Sequence, residues 1–252
     1  MKWLIRFLQW WYCLYALAWF ILLMFLVFPW VILSLLGGKI RGGNLIYRLC
    51  QYWAYAWYFL TGIRHQEIYE APHHRDRQYI FVANHISYMD IPPIVLMMHQ
   101  PVRVLGKKEM VHIPVFGWIY RAAVILVDRH NAATRARSVR ALKSALRQGI
   151  SIFLFPEGTF NETGKPLKSF FDGAFRIAIE TQTPIKPVLF VDTIDRLHYK
   201  SLFSLTPGQN RVVFLEEIPV QDLTLKDIPL LKEQVYQVMQ AGLQRYRFYP
   251  TA

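Results

Sequence analysis

A histidine and an aspartate five positions apart are the side chains in this sequence best suited to acid–base chemistry. They lie in the segment Asn84-His85-Ile86-Ser87-Tyr88-Met89-Asp90. A neutral imidazole can take the proton of an alcohol that attacks an acyl carbonyl, and such help is worth about 10²–10⁴ in rate. A carboxylate on the other ring nitrogen fixes the tautomer and stabilises the imidazolium that forms. The spacing therefore indicates a general base, His85, and the residue that orients it, Asp90.

Two alternatives compete with this interpretation. The histidine could cap the end of a strand through backbone hydrogen bonds, with no chemical role. Ser87 could instead be the nucleophile of a Ser-His-Asp hydrolase built within one loop. The G-x-S-x-G pattern that exposes such a serine is absent from the sequence. The side chains of His85, Ser87 and Asp90 are also too close in sequence to reach one common point easily. Both observations disfavour the hydrolase.

The elements around His85 determine whether this pair can form. Residues 79–83 are an apolar run rich in strand formers, which predicts a buried strand that ends at Asn84. Ligand sites of open α/β sheets gather at the carboxyl ends of strands. Pro92 and Pro93 restrict the turn that follows. We expect the chain to turn into a helix after His85, because a helix would bring Asp90 back to the ring.

A second segment with an acidic turn follows another apolar run. Residues 150–155 predict a buried strand, and Phe155-Pro156-Glu157-Gly158-Thr159 follows it, with Glu157 72 positions after His85. Taken alone, this segment is also compatible with an ordinary turn between a strand and a loop.

The stretch before this second strand predicts a helix over residues 131–148, with Asn131 as its N-cap. Its apolar stripe consists of Ala136, Val139, Leu142 and Leu146. With a strand predicted over residues 122–127, this is a strand–helix–strand unit. The predicted fold class is α/β, with a mostly parallel central sheet flanked by helices. A late strand over residues 211–215 and a closing helix over residues 227–247 complete it.

The two polar segments, in this order, resemble the glycerophospholipid acyltransferase family, whose best-known members acylate 1-acyl-glycerol-3-phosphate. Further stretches resemble that family's second and fourth sequence blocks: Gly106-Lys107-Lys108-Glu109-Met110, then Pro114-Val115-Phe116-Gly117-Trp118 and on to Asp128-Arg129, and finally Ile185-Lys186-Pro187-Val188. The resemblance covers roughly residues 75–195.

The resemblance implies an O-acyltransferase. It would move a fatty acyl group from a thioester of acyl carrier protein or coenzyme A to the sn-2 hydroxyl of 1-acyl-glycerol-3-phosphate, giving phosphatidate. His85 and Asp90 would be catalytic, and Ser87 would form no acyl-enzyme. The implied substrate-binding residues are Lys107, Lys108, Arg129, Glu157, Gly158 and Thr159, and the implied positioning residues are Asn84, Ser87 and Pro156. We expect no cofactor and no metal.

Phe160 departs from the family pattern, in which many members carry an arginine thought to contact the acceptor phosphate. The family's F-K-x-G-A-F is likewise altered, to Phe170-Phe171-Asp172-Gly173-Ala174-Phe175. Phenylalanine cannot bind phosphate as a guanidinium does. The basic residues that could compensate are Lys107, Lys108, Arg129, Lys165 and Lys168. Alternatively, the acceptor is glycerol 3-phosphate or another lysolipid, such as an amino-acid lipid or a different lysophospholipid.

The amino-terminal part of the chain predicts membrane attachment. Residues 7–38 are 32 positions without a charge, which as one helix would run roughly 48 Å against a hydrocarbon core of about 30 Å. A tilted span and a hairpin broken near Pro29 both fit, and residues 41–61 predict a second helix. Basic residues flank the apolar stretch on both sides, which favours a hairpin in one leaflet with both ends cytoplasmic. We expect helices over residues 1–65 to anchor an α/β acyltransferase domain, residues 66–252, facing the cytoplasm at a bacterial inner membrane.

The overall charge is strongly basic, with 29 Lys and Arg against 17 Asp and Glu, a formal +12. Such a balance fits anionic lipid, an acidic carrier protein or nucleic acid. No nucleic-acid-binding signature is present, and nucleic-acid binding would leave the apolar leader unexplained. A basic membrane scaffold would need the leader but neither His85 nor Asp90. Two cysteines form no disulfide framework, in keeping with a reducing compartment.

Overall fold

The computed structural model describes residues 2–128 and 132–247. Its α-helices are α1 (Lys2–Ser34), α2 (Gly43–Thr61), α3 (Ile91–Leu96), α4 (Phe116–Ala123), α5 (Ala132–Arg147), α6 (Gly173–Thr181), α7 (Thr193–Arg196) and α8 (Ile228–Tyr246). Its strands are β1 (Ile63–Tyr69), β2 (Ile80–Ala83), β3 (Val102–Lys107), β4 (Val124–Val127), β5 (Ser151–Leu154), β6 (Ile185–Phe190) and β7 (Gly208–Phe214).

The strands form a 7-stranded sheet in the order β1-β7-β6-β2-β5-β3-β4. Strands β2 to β6 run in one direction, whereas β7 is antiparallel to β6 and β1 is parallel to β7. Every residue of β2, β5 and β6 is buried. Strands buried along their whole length are expected at the centre of a parallel sheet covered on both faces. The predicted α/β class is confirmed.

Alternate residues of β2 enter different cores because successive side chains of a strand point to opposite faces. Ile80 and Val82 belong to a core with residues of α5, α6 and α8. Phe81 and Ala83 belong to a second core, which includes Ile94 of α3 and against which Tyr47 of α2 packs. Helices therefore cover both faces of the sheet, and α2 and α5 lie on opposite faces.

Helices α1 and α2 form an antiparallel hairpin. The ring of Phe20 lies 4.6 Å from Trp53 and 5.6 Å from Trp57, and Trp57 Nε1 donates to the carbonyl of Ala16 at 2.7 Å. The reversal predicted near Pro29 is wrong in position, because α1 continues through this proline. The chain turns in the glycine-containing segment 35–42 instead, where Gly38 adopts a φ of 71° that L-residues rarely take.

Within the described residues, one helical stretch, Trp3–Gly37, has the length and apolar composition needed to cross a membrane. This finding by itself is weak support for membrane association. The structure also confirms the predicted helix over residues 41–61, which begins at Gly43. The division at residue 65 stays a prediction, and the first strand begins at Ile63.

Helix α5 agrees with its prediction in extent but not in every buried position. Asn131, the predicted N-cap, lies outside the described residues. Leu142 and Leu146 are buried as expected, whereas Ala136 is exposed. Ser138 is buried instead, because its hydroxyl donates to the carbonyl of Leu126 at the end of β4.

Candidate active site

The two segments singled out in the sequence lie side by side. Strands β2 and β5 are adjacent and parallel, with Phe81 opposite Phe153, so the loops that follow them leave the same edge of the sheet. The Asn161 N–H donates to the His85 carbonyl at 2.7 Å and ties the two loops together. Asn84 fixes the end of β2, since its side-chain amide exchanges two hydrogen bonds with the backbone of Phe190 on β6.

The imidazole and the aspartate predicted to act together are in direct contact. His85 Nδ1 lies 2.8 Å from Asp90 Oδ2, and the same oxygen accepts the backbone N–H groups of Ile86 at 2.7 Å and Ser87 at 2.9 Å. Asp90 is fully buried. A single turn of 3₁₀-helix, Tyr88–Asp90, leads into α3 and brings the carboxylate back under the ring. The predicted turn into a helix after His85 is confirmed.

Ser87 has a capping role in this loop. Its hydroxyl accepts the Met89 N–H at 2.9 Å and donates to the carbonyl of Leu197 after α7. It is fully buried. These bonds tie the serine oxygen to the protein backbone, which is the geometry of a helix cap.

The contact with Asp90 also determines which imidazole nitrogen is basic. Because Nδ1 carries the hydrogen donated to an ionised carboxylate, Nε2 is left with the lone pair that can accept a proton. The His85 side chain keeps 16% of its surface exposed, so the ring is open to a substrate on one side. This geometry is what an oriented general base requires, and the role of His85 as that base stays a prediction.

Two phenylalanines hold the imidazole ring. Phe155 stacks on it with centroids 3.9 Å apart and planes 13° apart, and Phe160 meets it edge-on at 4.4 Å. Phe160 also contacts Tyr88 at 4.8 Å. Phe160, the residue that departs from the family pattern, thus packs against the His85 ring. Neither aromatic contact was predicted, because nothing in the letters pairs residues some 70 positions apart.

Glu157 connects the base to a second loop. It is fully buried, with one carboxylate oxygen accepting the His85 N–H and the other accepting the Lys168 N–H, both at 2.9 Å. Burial raises the pKa of Glu157 to about 7, although these two N–H groups and the Lys168 ammonium favour its charged form. Its contacts in this structure are to protein backbone, and a direct role in substrate binding stays a prediction.

The turn after Glu157 is tight. Gly158 has a φ of 75°, and a Cβ there would lie 2.7 Å from the ring of Phe171. Only glycine is suited to this conformation and this contact. Pro156 is buried, and its carbonyl accepts the Phe171 N–H at 2.9 Å. Thr159 is exposed, and its hydroxyl accepts a hydrogen bond from Lys168 Nζ.

The remaining predicted substrate residues are farther along the sheet. Lys107 ends β3, which is separated from β2 by β5, and Lys108 follows it; both are exposed. Lys108 Nζ lies 3.7 Å from Asp128 Oδ2. Arg129 lies outside the described residues. The structure therefore groups Glu157, Gly158 and Thr159 around His85 and places the two lysines on the same edge.

Comparison with known proteins gives this arrangement a family. The family model described as Acyltransferase matches residues 63–191, which include both loops. The chain belongs to the acyltransferase family.

The names of several relatives of this acyltransferase state the acceptor lipid. Human 1-acyl-sn-glycerol-3-phosphate acyltransferase beta is 29% identical over 165 residues, and the match covers 65% of this chain and 59% of the human protein. The 1-acyl-sn-glycerol-3-phosphate acyltransferase of Salmonella typhimurium is 32% identical over 147 residues, covering 58% of this chain and 57% of the relative. Each match thus spans less than two thirds of the relative's length.

A solved structure shares the fold of this acyltransferase. The crystal structure of the 1-acyl-sn-glycerophosphate acyltransferase PlsC from Thermotoga maritima superposes with a TM-score of 0.74 at 23% identity. The superposition covers 99% of this chain and 100% of the other. The likeness therefore includes the amino-terminal hairpin as well as the α/β part.

Proposed function

We propose that this acyltransferase transfers a fatty acyl group from an acyl thioester to the sn-2 hydroxyl of 1-acyl-glycerol-3-phosphate, producing phosphatidate. The observation that carries the proposal is the 2.8 Å contact between His85 Nδ1 and Asp90 Oδ2, which leaves Nε2 as the basic atom of a partly exposed ring. The names of the relatives supply the acceptor. The donor is an acyl thioester of acyl carrier protein or of coenzyme A, and the two have the same reacting carbonyl.

His85 acts as a general base in a direct transfer between two bound substrates. Nε2 takes the proton of the acceptor hydroxyl as its oxygen attacks the thioester carbonyl. The tetrahedral intermediate collapses, the new ester forms, the carbon–sulfur bond breaks, and the imidazolium returns its proton to the thiolate. Asp90 stays ionised throughout and stabilises the imidazolium.

A second candidate is an acceptor with a different head group. Phe160 favours it, because this apolar ring packs on His85 where many family members have an arginine. An amino-acid lipid, another lysophospholipid or glycerol 3-phosphate would use the same base and the same proton transfer.

The hairpin of α1 and α2 supports attachment to one leaflet of a membrane. Large apolar side chains line its outer surface, including Phe25, Leu26, Trp30, Leu33 and Phe59, all of them exposed. Lysolipid and product stay in the bilayer, so an enzyme held at its surface need only collect the donor from water. We place the α/β part on the cytoplasmic side of a bacterial inner membrane.

A panel of acceptors tests this proposal. Purified protein in vesicles receives lysophosphatidate, a lysophospholipid with an alkylated phosphate, an amino-acid lysolipid or glycerol 3-phosphate. Each is tested with acyl carrier protein and coenzyme A donors, and products are measured by mass spectrometry. Preferential formation of phosphatidate supports the proposal. Preference for another acceptor moves the assignment to the second candidate, and no acyl ester from any pair contradicts the proposed reaction.

A further inference from the structure

Among the basic side chains of residues 2–128 and 132–247, Lys168 is the one that hydrogen bonds tie most closely to His85. Its backbone N–H donates to Glu157 Oε2, while the His85 N–H donates to Glu157 Oε1. Its ammonium also reaches the turn after β5, donating to the hydroxyl of Thr159. One buried carboxylate thus holds the backbones of both residues, and the lysine head group lies at the loop that packs on His85.

Other lysines considered for a phosphate have different surroundings. Lys108 is close to Asp128, and Lys107 ends a strand two places from β2 in the sheet. Lys165 is exposed, and its contact with the loop is through its carbonyl, which accepts from Asn161 Nδ2 at 2.9 Å. Lys168 is half-buried, so part of its stem is shielded from water.

We infer that Lys168 binds the phosphate of the acceptor and thereby determines the preference for a phosphorylated lysolipid. This inference rests on the proposed function. An ammonium has three N–H donors, and the Thr159 hydroxyl uses one, so two remain for phosphate oxygens. Charge-assisted bonds to phosphate are among the stronger hydrogen bonds in proteins. Lys168 would take the role of the arginine that many family members carry at the position of Phe160. In this chain, Phe160 packs on the His85 ring instead.

The arrangement links recognition of the phosphate to the position of the base. Phe160 and Phe171 are apolar neighbours of the turn at Gly158 and offer no hydrogen bonds to a phosphate. Lys168 therefore supplies a positive charge at this turn, beside the Thr159 hydroxyl. A phosphate held there is anchored to the loop that Glu157 fastens to the His85 backbone.

Substitution of Lys168 tests the inference through KM. K168M keeps an apolar stem and removes the charge, and we expect KM for lysophosphatidate to rise about 10- to 100-fold, in line with the loss of a charged hydrogen bond. The kcat should change by less than about threefold, because the charge binds ground state and transition state alike. K168R should stay within about fivefold of wild type, and K165M, which removes a charge from the same loop, should resemble wild type.

Two further measurements separate binding from folding. Glycerol 3-phosphate should inhibit the wild-type enzyme competitively, with an inhibition constant that rises about as much as KM in K168M. T159V removes the acceptor for the ammonium at an exposed position and should raise KM about threefold. Thermal melting checks each variant, and if K168M unfolds, T159V and K168R decide the matter.

The outcomes are distinct. If the wild-type protein makes phosphatidate and both K168M and K165M keep the wild-type KM, the lysine assignment is overturned and the proposed function stays intact. Unchanged KM in T159V together with unchanged inhibition by glycerol 3-phosphate in K168M would also overturn it. Wild-type protein that acylates only acceptors without a phosphate monoester contradicts both proposals.

Discussion

At the scale of single residues, one oxygen atom accounts for the five-residue spacing between histidine and aspartate. Asp90 Oδ2 receives the ring N–H of His85 and the backbone N–H groups of Ile86 and Ser87. The carboxylate therefore holds the fold of the loop and orients the His85 imidazole at the same time. A shorter spacing would not allow the chain to complete the 3₁₀ turn that returns the side chain to the ring.

Replacing Asp90 with asparagine should lower kcat by about 10²–10⁴. The amide has nearly the shape of the carboxylate but lacks the charge that stabilises the imidazolium, and its oxygen accepts three N–H groups less strongly. Steady-state kinetics with the preferred acceptor measures the effect. The matched control is D172N at an exposed ion pair with Lys232, which should keep wild-type kcat. Equal activity of D90N and D172N would remove Asp90 from the mechanism.

Glu157 gives the protein a pH dependence with a definite sign. Burial raises its pKa from 4.5 to about 7, so the folded protein binds this proton more tightly than the unfolded chain. The resulting stabilisation is complete below pH 4.5 and is lost as pH rises through about 7. Thermal melting of wild type and E157Q between pH 4.5 and 8 measures it. We expect wild type to lose more stability than E157Q over this range, whereas parallel curves would refute the assignment.

Among the elements, the amino-terminal hairpin has one side that is packed and another that is exposed. One side of α1 packs on α2 through Phe20, and Tyr12 of the same helix donates to the carbonyl of Thr61 at 2.6 Å. The outer side carries apolar residues without such contacts to the α/β part, among them Leu26, 59% exposed. A soluble protein rarely exposes so continuous an apolar surface. The hydrocarbon interior of a lipid bilayer would match this apolar surface.

The variant L26D tests the hairpin as a membrane contact. A carboxylate placed in hydrocarbon costs about 2.5–3.5 kcal/mol at the membrane centre and less near the interface. We expect binding to vesicles of phosphatidylethanolamine and phosphatidylglycerol to fall at least about fivefold. L230D is the control, because Leu230 on α8 is 68% exposed but lies outside the hairpin. Similar losses in both variants would mean that the hairpin surface has no special role.

Most elements could be predicted from the sequence because each has a local signal. Runs of apolar residues predicted β2 and β5. Apolar residues repeating at helical spacing predicted α5 and α8. The position of the hairpin turn could not be predicted, because Pro29 and the glycines that follow it both disfavour a helix interior. Exposed Ala136 shows the other limit: a stripe on a helix defines a face, but packing decides how wide the buried part is.

At the scale of the whole molecule, the order of strands determines which loops meet. The sequence predicted that His85 and Glu157 each follow a buried strand, and the adjacency of β2 and β5 brings them to one edge. It did not predict that β1 would pair with β7, or that Asn84 would bond to the end of β6. Those contacts depend on tertiary packing between distant segments, for which a single sequence carries no local signal.

The candidate site shows the same division. The spacing of His85 and Asp90 predicted their contact on the condition that the chain turns into a helix after His85, and this turn forms locally. Other contacts could not be predicted, because they come from another strand and its loop. They are those of Phe155 and Phe160 with His85 and that of Lys168 with Glu157.

The most direct test of the general-base mechanism is the rate of phosphatidate formation by H85A in vesicles, beside wild type and H74A. His74 is an exposed histidine outside both loops, so its loss controls for the substitution itself. We expect the rate of H85A to fall by a factor of about 10²–10⁴ while H74A stays near wild type. Folded H85A that forms phosphatidate as fast as wild type would contradict the general-base mechanism.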